Sequence, residues 1–200
     1  MKKTISQTLK LVVIALSLST GLSFSAHAGL VGVNSIQISN TNNDWLQIAE
    51  VQAFNMSATD VALASYGAIA SAPSTWDSNS LPGKAIDGST NGVFPNIFHS
   101  GSTGATQILT ITFASIEELA SINIWGRTDC CSNRDIFNVS FFDAAGSLLY
   151  SAAGLNATAQ FQNVASRELP DTQAVPEPGS LALIGLGLAG LAAVGRKRKV

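Results

Sequence analysis

The chain has 200 residues and a formal charge of −2, with 46% hydrophobic residues. Between residues 29 and 175, four cations stand against twelve acids, so this part alone carries a formal charge of −8. Such an acidic surface argues against nucleic acid or anionic lipid as the partner. The roughly 147 residues of this part are enough for one domain with a sizeable core.

Residues 1–28 have the composition of a secretory signal peptide. Lys2, Lys3 and Lys10 flank the start of an apolar run, which ends in the small-x-small sequence AHA at 26–28. A positive flank, an apolar run and such a cleavage site together predict export; the alternative is an N-terminal membrane anchor. We expect the exported protein to begin near Gly29, in a compartment that favours paired cysteines.

The next part of the chain alternates between apolar and polar residues, which predicts short β-strands. The alternating segments are SIQIS (35–39), LQIAEVQAF (46–54), QILTITF (107–113), SINIW (121–125), FNVSFFD (137–143) and SLLYS (147–151), with AQFQNV (159–164) as a candidate last strand. The phase slips near Ala49-Glu50, which predicts a β-bulge, and SIEEL (115–119) predicts a helical turn. The pattern indicates an all-β fold, a single jelly roll or β-sandwich over residues 29–165.

Two segments of this region do not alternate. Residues 74–100 form a long polar stretch rich in turn residues, and such loops usually carry function or a bound ion. Residues 166–174 predict a short polar linker.

The sequence GRTDCCSNRD (126–135) places both cysteines of the chain side by side. Consecutive Cα atoms lie about 3.8 Å apart across a trans peptide, closer than the roughly 4.4–6.8 Å of ordinary disulfides. A Cys130–Cys131 bond would therefore form a small ring whose value is local, as an apolar sulfur platform. Two reduced thiols, or a redox or metal pair, are the alternatives.

Arg127 and Arg134 flank the cysteines and are half of the cations between residues 29 and 175. Each guanidinium is a planar fork of donors suited to holding several oxygens, and Asp129 is close enough in sequence to pair with one of them. Charged donors beside an apolar platform suit the hydroxyl groups and C–H face of a neutral sugar. The alternative is a salt-bridged loop in which Asp129 and Asp135 neutralise the two arginines.

At the C-terminal end, Pro176-Glu177-Pro178 is followed by an apolar Gly/Leu/Ala run and the basic tail RKRK (196–199). This order resembles the PEP-CTERM sorting signal of Gram-negative bacteria, here over residues 175–200. The resemblance implies an inner-membrane-anchored precursor, an exosortase as transient partner, and delivery to the cell surface or an exopolysaccharide matrix. A plain C-terminal transmembrane anchor is the alternative.

The segment NIWGRTDCCSNR (123–134), with His99 upstream, resembles the signature of the F-type lectins (fucolectins), a branch of the discoidin-like, galactose-binding-like β-sandwich superfamily. That signature is a histidine, then Arg-x-Asp, four residues, and Arg or Lys; here 27 residues separate His99 from Arg127. The resemblance covers roughly residues 45–150. It implies that His99, Arg127 and Arg134 hydrogen-bond a sugar such as fucose, that Asp129 orients an arginine, and that a Cys130–Cys131 disulfide stacks on the ring.

Two departures from this pattern matter for the site. The paired aromatic residues that the family usually has just before the strand at 107–113 are missing here. Asp135 follows Arg134 directly, so its carboxylate could capture that guanidinium and block the pocket.

The same family carries a structural calcium ion. AIDGSTNG (85–92) is similar to its calcium loop, which makes Asp87 the first expected ligand, and LQIAEVQ is similar to a strand whose glutamate, here Glu50, is the second. Oxygen ligands from a tight turn suit Ca²⁺; an ordinary Asp-Gly turn is the alternative.

These features predict an exported, non-enzymatic carbohydrate-binding protein. No carboxylate pair for glycoside hydrolysis and no nucleophile elbow is evident in the sequence. The alternative is a structural or adhesive protein of an exopolysaccharide matrix, without a specific sugar pocket.

Overall fold

The structure is a computed structural model that describes residues 29–172. The expected signal peptide (1–28) and the sorting segment with Pro176, Glu177 and Pro178 lie outside these residues. Within them, no α-helix is present, and no helix is long and apolar enough to span a membrane. The all-β expectation therefore holds for the described part of the chain.

Nine strands make up the regular structure of residues 29–172. They are β1 (Leu30–Asn40), β2 (Gln47–Ile48), β3 (Glu50–Asn55), β4 (Ile69–Ser71), β5 (Phe98–His99), β6 (Ile108–Trp125), β7 (Ile136–Phe142), β8 (Leu148–Asn156) and β9 (Val164–Glu168). Single turns of 3₁₀ helix occur at Ala64–Tyr66, Pro82–Ile86, Ser132–Arg134 and Ala159–Phe161.

Strand β6 organises the main sheet because it is 18 residues long and changes partners along its length. Its first part pairs with β4 on one side and with β1 on the other; its second part pairs with β3 and β9. Beyond β1 the sheet continues to β7 and β8, and all of these pairings are antiparallel. β2 and β5 form a separate two-stranded ladder.

One hydrophobic core joins both parts of the sheet, as in a β-sandwich. The alternation seen in the sequence is the cause: Ile36, Ile38, Leu109 and Ile111 from one part and Val51, Ile122 and Ile124 from the other are all fully buried in one cluster. Burial of each such side chain contributes roughly 1.5–3 kcal/mol. Residues between them, such as Gln37 and Thr110, face outward.

Three local expectations need correction. Residues 115–119 form no helical turn but continue β6, because Glu117 and Glu118 pair with Val33 and Val31 in the ladder with β1. Residues 159–163 form a 3₁₀ turn (Ala159–Phe161) and a further turn, and the last strand is β9, which begins at Val164 and reaches Glu168 in the stretch expected as linker. At residues 115–119 and 164–168, pairing with β6 or β1 outweighs the local sequence preference.

The phase slip near Ala49 has a larger effect than a bulge. Gln47 and Ile48 pair with β5, whereas the residues from Glu50 onward pair with β6. Ala49 lies at the change, and its N–H donates to Trp125 O at 2.8 Å. One short segment thus holds His99 of β5 through β2 and places Glu50 against the main sheet.

Candidate functional site

Two loops meet next to the end of β6. The cysteine loop (Gly126–Asp135) packs against the long loop that precedes β5, where Thr128 N–H donates to Gly92 O at 2.8 Å. A Cβ atom on Gly92 would lie 2.6 Å from both Gly126 O and the methyl carbon of Thr128. Glycine at position 92 is therefore what allows the two loops to form one surface.

Arg127 is held at this surface by Asp129. Its Nε donates to Asp129 Oδ1 at 2.6 Å and its Nη2 to Asp129 Oδ2 at 3.2 Å, a bidentate pair that fixes the plane of the guanidinium. The hydrogen bond from Arg127 holds the pKa of Asp129 below its usual value. The arginine also lies over the ring of Phe94, with Cζ 5.4 Å from the centroid. The expected orienting role of Asp129 thus falls on Arg127.

The two cysteine sulfurs are bonded to each other, and their Cα atoms are 3.8 Å apart. Cys130 is exposed and Cys131 is half-buried. Cys131 has φ of +60°, in the left-handed region, and precedes the 3₁₀ turn Ser132–Arg134. The disulfide thus lies between the two arginines in the sequence, with Cys130 at the surface.

Arg134 pairs with a residue that the sequence did not indicate. Its Nε lies 3.3 Å from Asp44 Oδ2, and its carbonyl oxygen accepts a hydrogen bond from the Asn40 side chain. Asp135, expected as the group that could capture Arg134, instead accepts the backbone N–H of Arg127 at 2.7 Å. The arginine is therefore engaged, but by an acid from a separate loop.

Asp135 lies fully buried beneath the cysteine loop. Gly126 makes room for it, since a Cβ there would come within 2.5 Å of Asp135 Oδ2. The other oxygen, Oδ1, has no hydrogen-bond partner among residues 29–172. Burial raises the pKa of Asp135 to about 8, which the hydrogen bond from Arg127 and the charges of both arginines do not offset. The carboxyl is therefore largely protonated at neutral pH.

The burial of Asp135 predicts that the stability of the protein depends on pH. The substitution Asp135→Asn should make this dependence smaller. Because the pKa of Asp135 is higher in the folded protein than its ordinary value of 3.8, the folded state binds more protons between about pH 4 and 8. Stability is therefore full below this window and falls as the pH rises through it. Between pH 5 and 9, we expect Asp135→Asn to lose less free energy of unfolding than the wild type, by on the order of 2–4 kcal/mol.

Urea unfolding at the two pH values measures this difference. Glu168→Gln, the same carboxyl-to-amide change at an exposed position of β9, is the matched control and should behave like the wild type. Equal losses in Asp135→Asn and the wild type would mean that the carboxyl is already ionised in the folded state.

His99 is buried, with 6% of its surface exposed. Its Nδ1–H donates to Ser100 O at 2.8 Å, which leaves Nε2 to accept a hydrogen bond from Gln47 Nε2 at 3.2 Å. Burial lowers the pKa of His99, and the charges of Arg127 and Arg134 add to this effect. Both ring nitrogens are therefore bonded within the protein.

An aromatic cluster surrounds His99, and the sequence did not reveal it. Trp45 and Trp76 lie edge to face at 5.1 Å, each with its ring centroid 5.4 Å from that of His99. The ring centroid of Phe94 lies 6.3 Å from that of His99, and the same Phe94 ring contacts Arg127. Trp76 is 55% exposed. Trp45 comes from the loop before β2, whereas Trp76 and Phe94 both come from the long loop before β5. The signal for Trp45 was its place shortly before the strand that pairs with His99.

The two expected calcium ligands, Glu50 and Asp87, also lie near each other. Glu50 is fully buried; its Oε1 accepts the N–H of Gly88 at 3.1 Å, and its Oε2 has no partner among the described residues. Burial, helped by the charges of Asp87 and Asp60, raises the pKa of Glu50 to about 8. Asp87 is exposed and lies 3.9 Å from the Lys84 ammonium group.

Side chains alone do not complete a metal centre here. No group of three or more His, Cys, Asp or Glu side chains within residues 29–172 is arranged to hold a metal ion. Asp60 is committed to the backbone, since its Oδ1 accepts the N–H groups of Ala53 and Ala62. An ion at Glu50 and Asp87 would need main-chain carbonyl oxygens as its other ligands.

The described residues thus form an all-β domain with a candidate site on its loops. Residues 174–199 match a family model described as the PEP-CTERM protein-sorting motif. The motif indicates a membrane-anchored precursor that is processed by exosortase and sorted to the cell surface or the extracellular space. No curated protein and no solved structure matches the chain, so the likeness to discoidin-like domains and F-type lectins rests on the residues quoted above.

Proposed function

We propose that this protein is an exported lectin-like domain that binds a neutral sugar at the junction of the cysteine loop and the aromatic cluster. The observation that carries the proposal is a series of contacts from an oriented arginine to an exposed tryptophan. Arg127 lies over Phe94, Phe94 lies beside His99, and His99 packs on Trp76. The exposed Cys130 of the disulfide follows Arg127 by three residues. Oriented charged donors beside apolar platforms are the chemistry that hydroxyl groups and C–H faces require.

Arg127 is the main polar contact in this proposal. A guanidinium has five N–H donors, and Asp129 takes two of them. Within the described residues the other three have no hydrogen-bond partner, and 14% of the side-chain surface is exposed. They can therefore bind two neighbouring sugar hydroxyl groups in the plane that Asp129 sets.

The apolar contacts come from two sides. The Cys130–Cys131 disulfide offers a small rigid surface, and Trp76 offers a large flat one at the edge of the aromatic cluster. Aromatic rings are favoured in such contacts because they provide a large area at little cost in conformational entropy. A deoxyhexose such as fucose, whose methyl group adds to its C–H face, or a galactose-like sugar fits this combination.

Of the other two expected sugar contacts, His99 takes a different role and Arg134 keeps the expected one. His99 is best regarded as a positioning residue, because both ring nitrogens are bonded within the protein while its ring packs on Trp45 and Trp76. Arg134 keeps its Nη groups for a ligand, since its ion pair to Asp44 is made through Nε.

We also propose a structural calcium ion beside Glu50 and Asp87. The unpartnered, buried Oε2 of Glu50 is the observation in favour, because a buried carboxylate oxygen without a hydrogen bond is costly unless a cation or a proton compensates it. Carboxylate and carbonyl oxygens are the ligands that Ca²⁺ prefers. The ion would connect β3 to the loop at 85–92 and so stabilise the long loop that carries Phe94.

A glycan array tests the function directly. We expect the full-length chain, purified in a mild detergent, to bind glycans ending in fucose or galactose, and more strongly with calcium present. Trp76→Ala should weaken this binding about tenfold or more, because stacking on an exposed aromatic ring contributes on the order of 1–2 kcal/mol. Tyr66→Ala removes another exposed aromatic side chain (58% exposed) and is the matched control.

Two results would contradict the proposal. Equal binding by Trp76→Ala and Tyr66→Ala would remove the aromatic cluster from the site. If the wild type bound no glycan on the array, the chain would instead fit a structural role in an exopolysaccharide matrix, with the loop as a salt-bridged turn.

A further inference from the structure

A second surface with binding chemistry lies on the outer face of the sheet. The strand registers align Ser71, Thr110, Gln37, Ser140 and Ser151 in one row across β4, β6, β1, β7 and β8. The row is continuous because each of these residues lies opposite the next in its ladder. Five neighbouring strands therefore present hydroxyl and amide groups side by side.

This face is also concave. A cavity of about 320 Å³ is lined by residues that include Gln37, Ser71, Pro73, Thr106 and Thr110. Such a volume lies at the lower end of the ~300–1,000 Å³ that ligand sites occupy. A smaller hollow of about 100 Å³, lined in part by Ser39, Asn138 and Ser140, shares Gln37 and Ile108 with the first. The two form a groove across the strands, which we call the sheet groove.

The polar groups of the sheet groove are available. Within residues 29–172, the side chains of Gln37, Ser39, Thr110 and Ser140 make no hydrogen bond to the protein. Their backbones are fixed by the ladders, so the spacing of these side chains along the row is set. A ligand with many hydroxyl groups would meet a row of partners at fixed intervals, and three of the four are short hydroxyl side chains.

The lining of the sheet groove is also uncharged. The residues that line the two hollows include no Asp, Glu, Lys or Arg, although residues 29–172 carry twelve acids and four cations. A charged ligand would lose its hydration there without an ionic partner. The core of a protein–protein interface is usually rich in aromatic residues and Arg, whereas this lining is Ser, Thr, Asn and Gln with Ala, Ile and Pro.

We propose that the sheet groove binds a segment of a neutral polysaccharide chain. Uncharged hydroxyl groups match the amide and hydroxyl row, and Ile108 and Pro73 offer surface for C–H faces. The sorting motif places the protein at the cell surface or outside the cell, where such polymers occur. This inference does not rest on the loop site, because the groove is lined by β1, β4, β6, β7 and residues beside these strands, and by no residue of the proposed loop site.

Affinity electrophoresis tests the groove. The full-length chain, in a mild detergent, is run in gels containing dextran, galactomannan or xyloglucan, with the polyanion alginate as comparison. We expect at least one neutral polymer to retard the wild type. The double variant Gln37→Ala/Ser140→Ala should raise the dissociation constant about tenfold, since it removes two side chains that hydrogen-bond.

Two further variants make the result specific. Gln160→Ala/Ser166→Ala removes the same two residue types from exposed positions outside the groove and should bind like the wild type. Thr110→Val keeps the shape of the strand and removes one hydroxyl group, so it should weaken binding several-fold even if the double variant fails to fold.

The outcomes separate this inference from the loop site. Polymer binding that survives Arg127→Ala but is reduced by the groove variants supports it, whatever the glycan array shows. Binding that Arg127→Ala abolishes and the groove variants leave unchanged supports the loop site and overturns the groove. No retardation by any neutral polymer, or retardation by alginate that the groove variants abolish, also overturns it.

Discussion

Replacing Arg127 with alanine is expected to reduce sugar binding at least about 100-fold while leaving the fold intact. The side chain supplies charged hydrogen bonds, each of which contributes roughly 1.5–3 kcal/mol, and two of them correspond to this loss or more. Its removal also leaves the Asp129 carboxylate at the surface without its partner. Because Asp129 is exposed, water can solvate it, and the cost to stability should be small.

Calorimetric titration with the best sugar from the array measures this effect, together with a thermal melt of each variant. Arg167→Ala is the matched control, since Arg167 is an exposed cation of β9 and its loss changes the net charge equally. Arg127→Lys should recover only part of the affinity, because an ammonium group lacks the planar fork that Asp129 orients. Full affinity in Arg127→Ala would refute the placement of the sugar beside this residue.

Calcium is expected to raise the melting temperature by roughly 5–10 °C. An ion present at about 100 times its dissociation constant stabilises the folded state by about 2.7 kcal/mol, and each kcal/mol corresponds to roughly 2–4 °C in a domain of this size. The ion would compensate the buried Oε2 of Glu50, which has no partner within residues 29–172. Magnesium should have little effect, since it demands a stricter octahedral geometry.

Glu50→Gln is the variant that tests this site, and it should fold. The pKa of Glu50 is raised to about 8 by burial, so the side chain is largely protonated at pH 7 without the ion and the amide resembles that form. The variant should melt at the same temperature with calcium and with a chelator. The control Glu117→Gln, on β6, should keep the full calcium-induced rise in melting temperature. If neither calcium nor a chelator changed the melting temperature of the wild type, the calcium site at Glu50 would be excluded.

The fold could be predicted from the sequence to the extent that local alternation controls it. Ile36 and Ile38, or Leu109 and Ile111, bury one face because side chains alternate along a strand. The same reasoning failed at residues 159–163, which close a local 3₁₀ turn, and at residues 115–119, where the outcome depends on which distant strand lies alongside. Glu117 and Glu118 are extended because β1 pairs with them, and nothing in SIEEL reveals that partner.

The candidate site could likewise be predicted from the sequence only in part. The Arg127–Asp129 pair and the Cys130–Cys131 bond join residues at most two positions apart, so the sequence pattern was sufficient to place them together. Spacing alone did not indicate that Asp44 pairs with Arg134, because the two are far apart in the chain. The interpretation of Asp135 was wrong for a related reason, since its burial under Gly126 became evident only in the packed loop.

The sequence by itself determined the all-β class, the sorting motif, and the local chemistry of the cysteine loop, because each depends on neighbouring residues. Only the tertiary structure decided that Trp45, Trp76 and Phe94 surround His99, and that the polar row of the sheet groove is continuous. These arrangements depend on long-range pairing: Gln47 and His99 are 52 residues apart, yet their side chains lie 3.2 Å from each other. Alternation specifies which face of each strand is polar, but the register of the ladders specifies which polar side chains become neighbours.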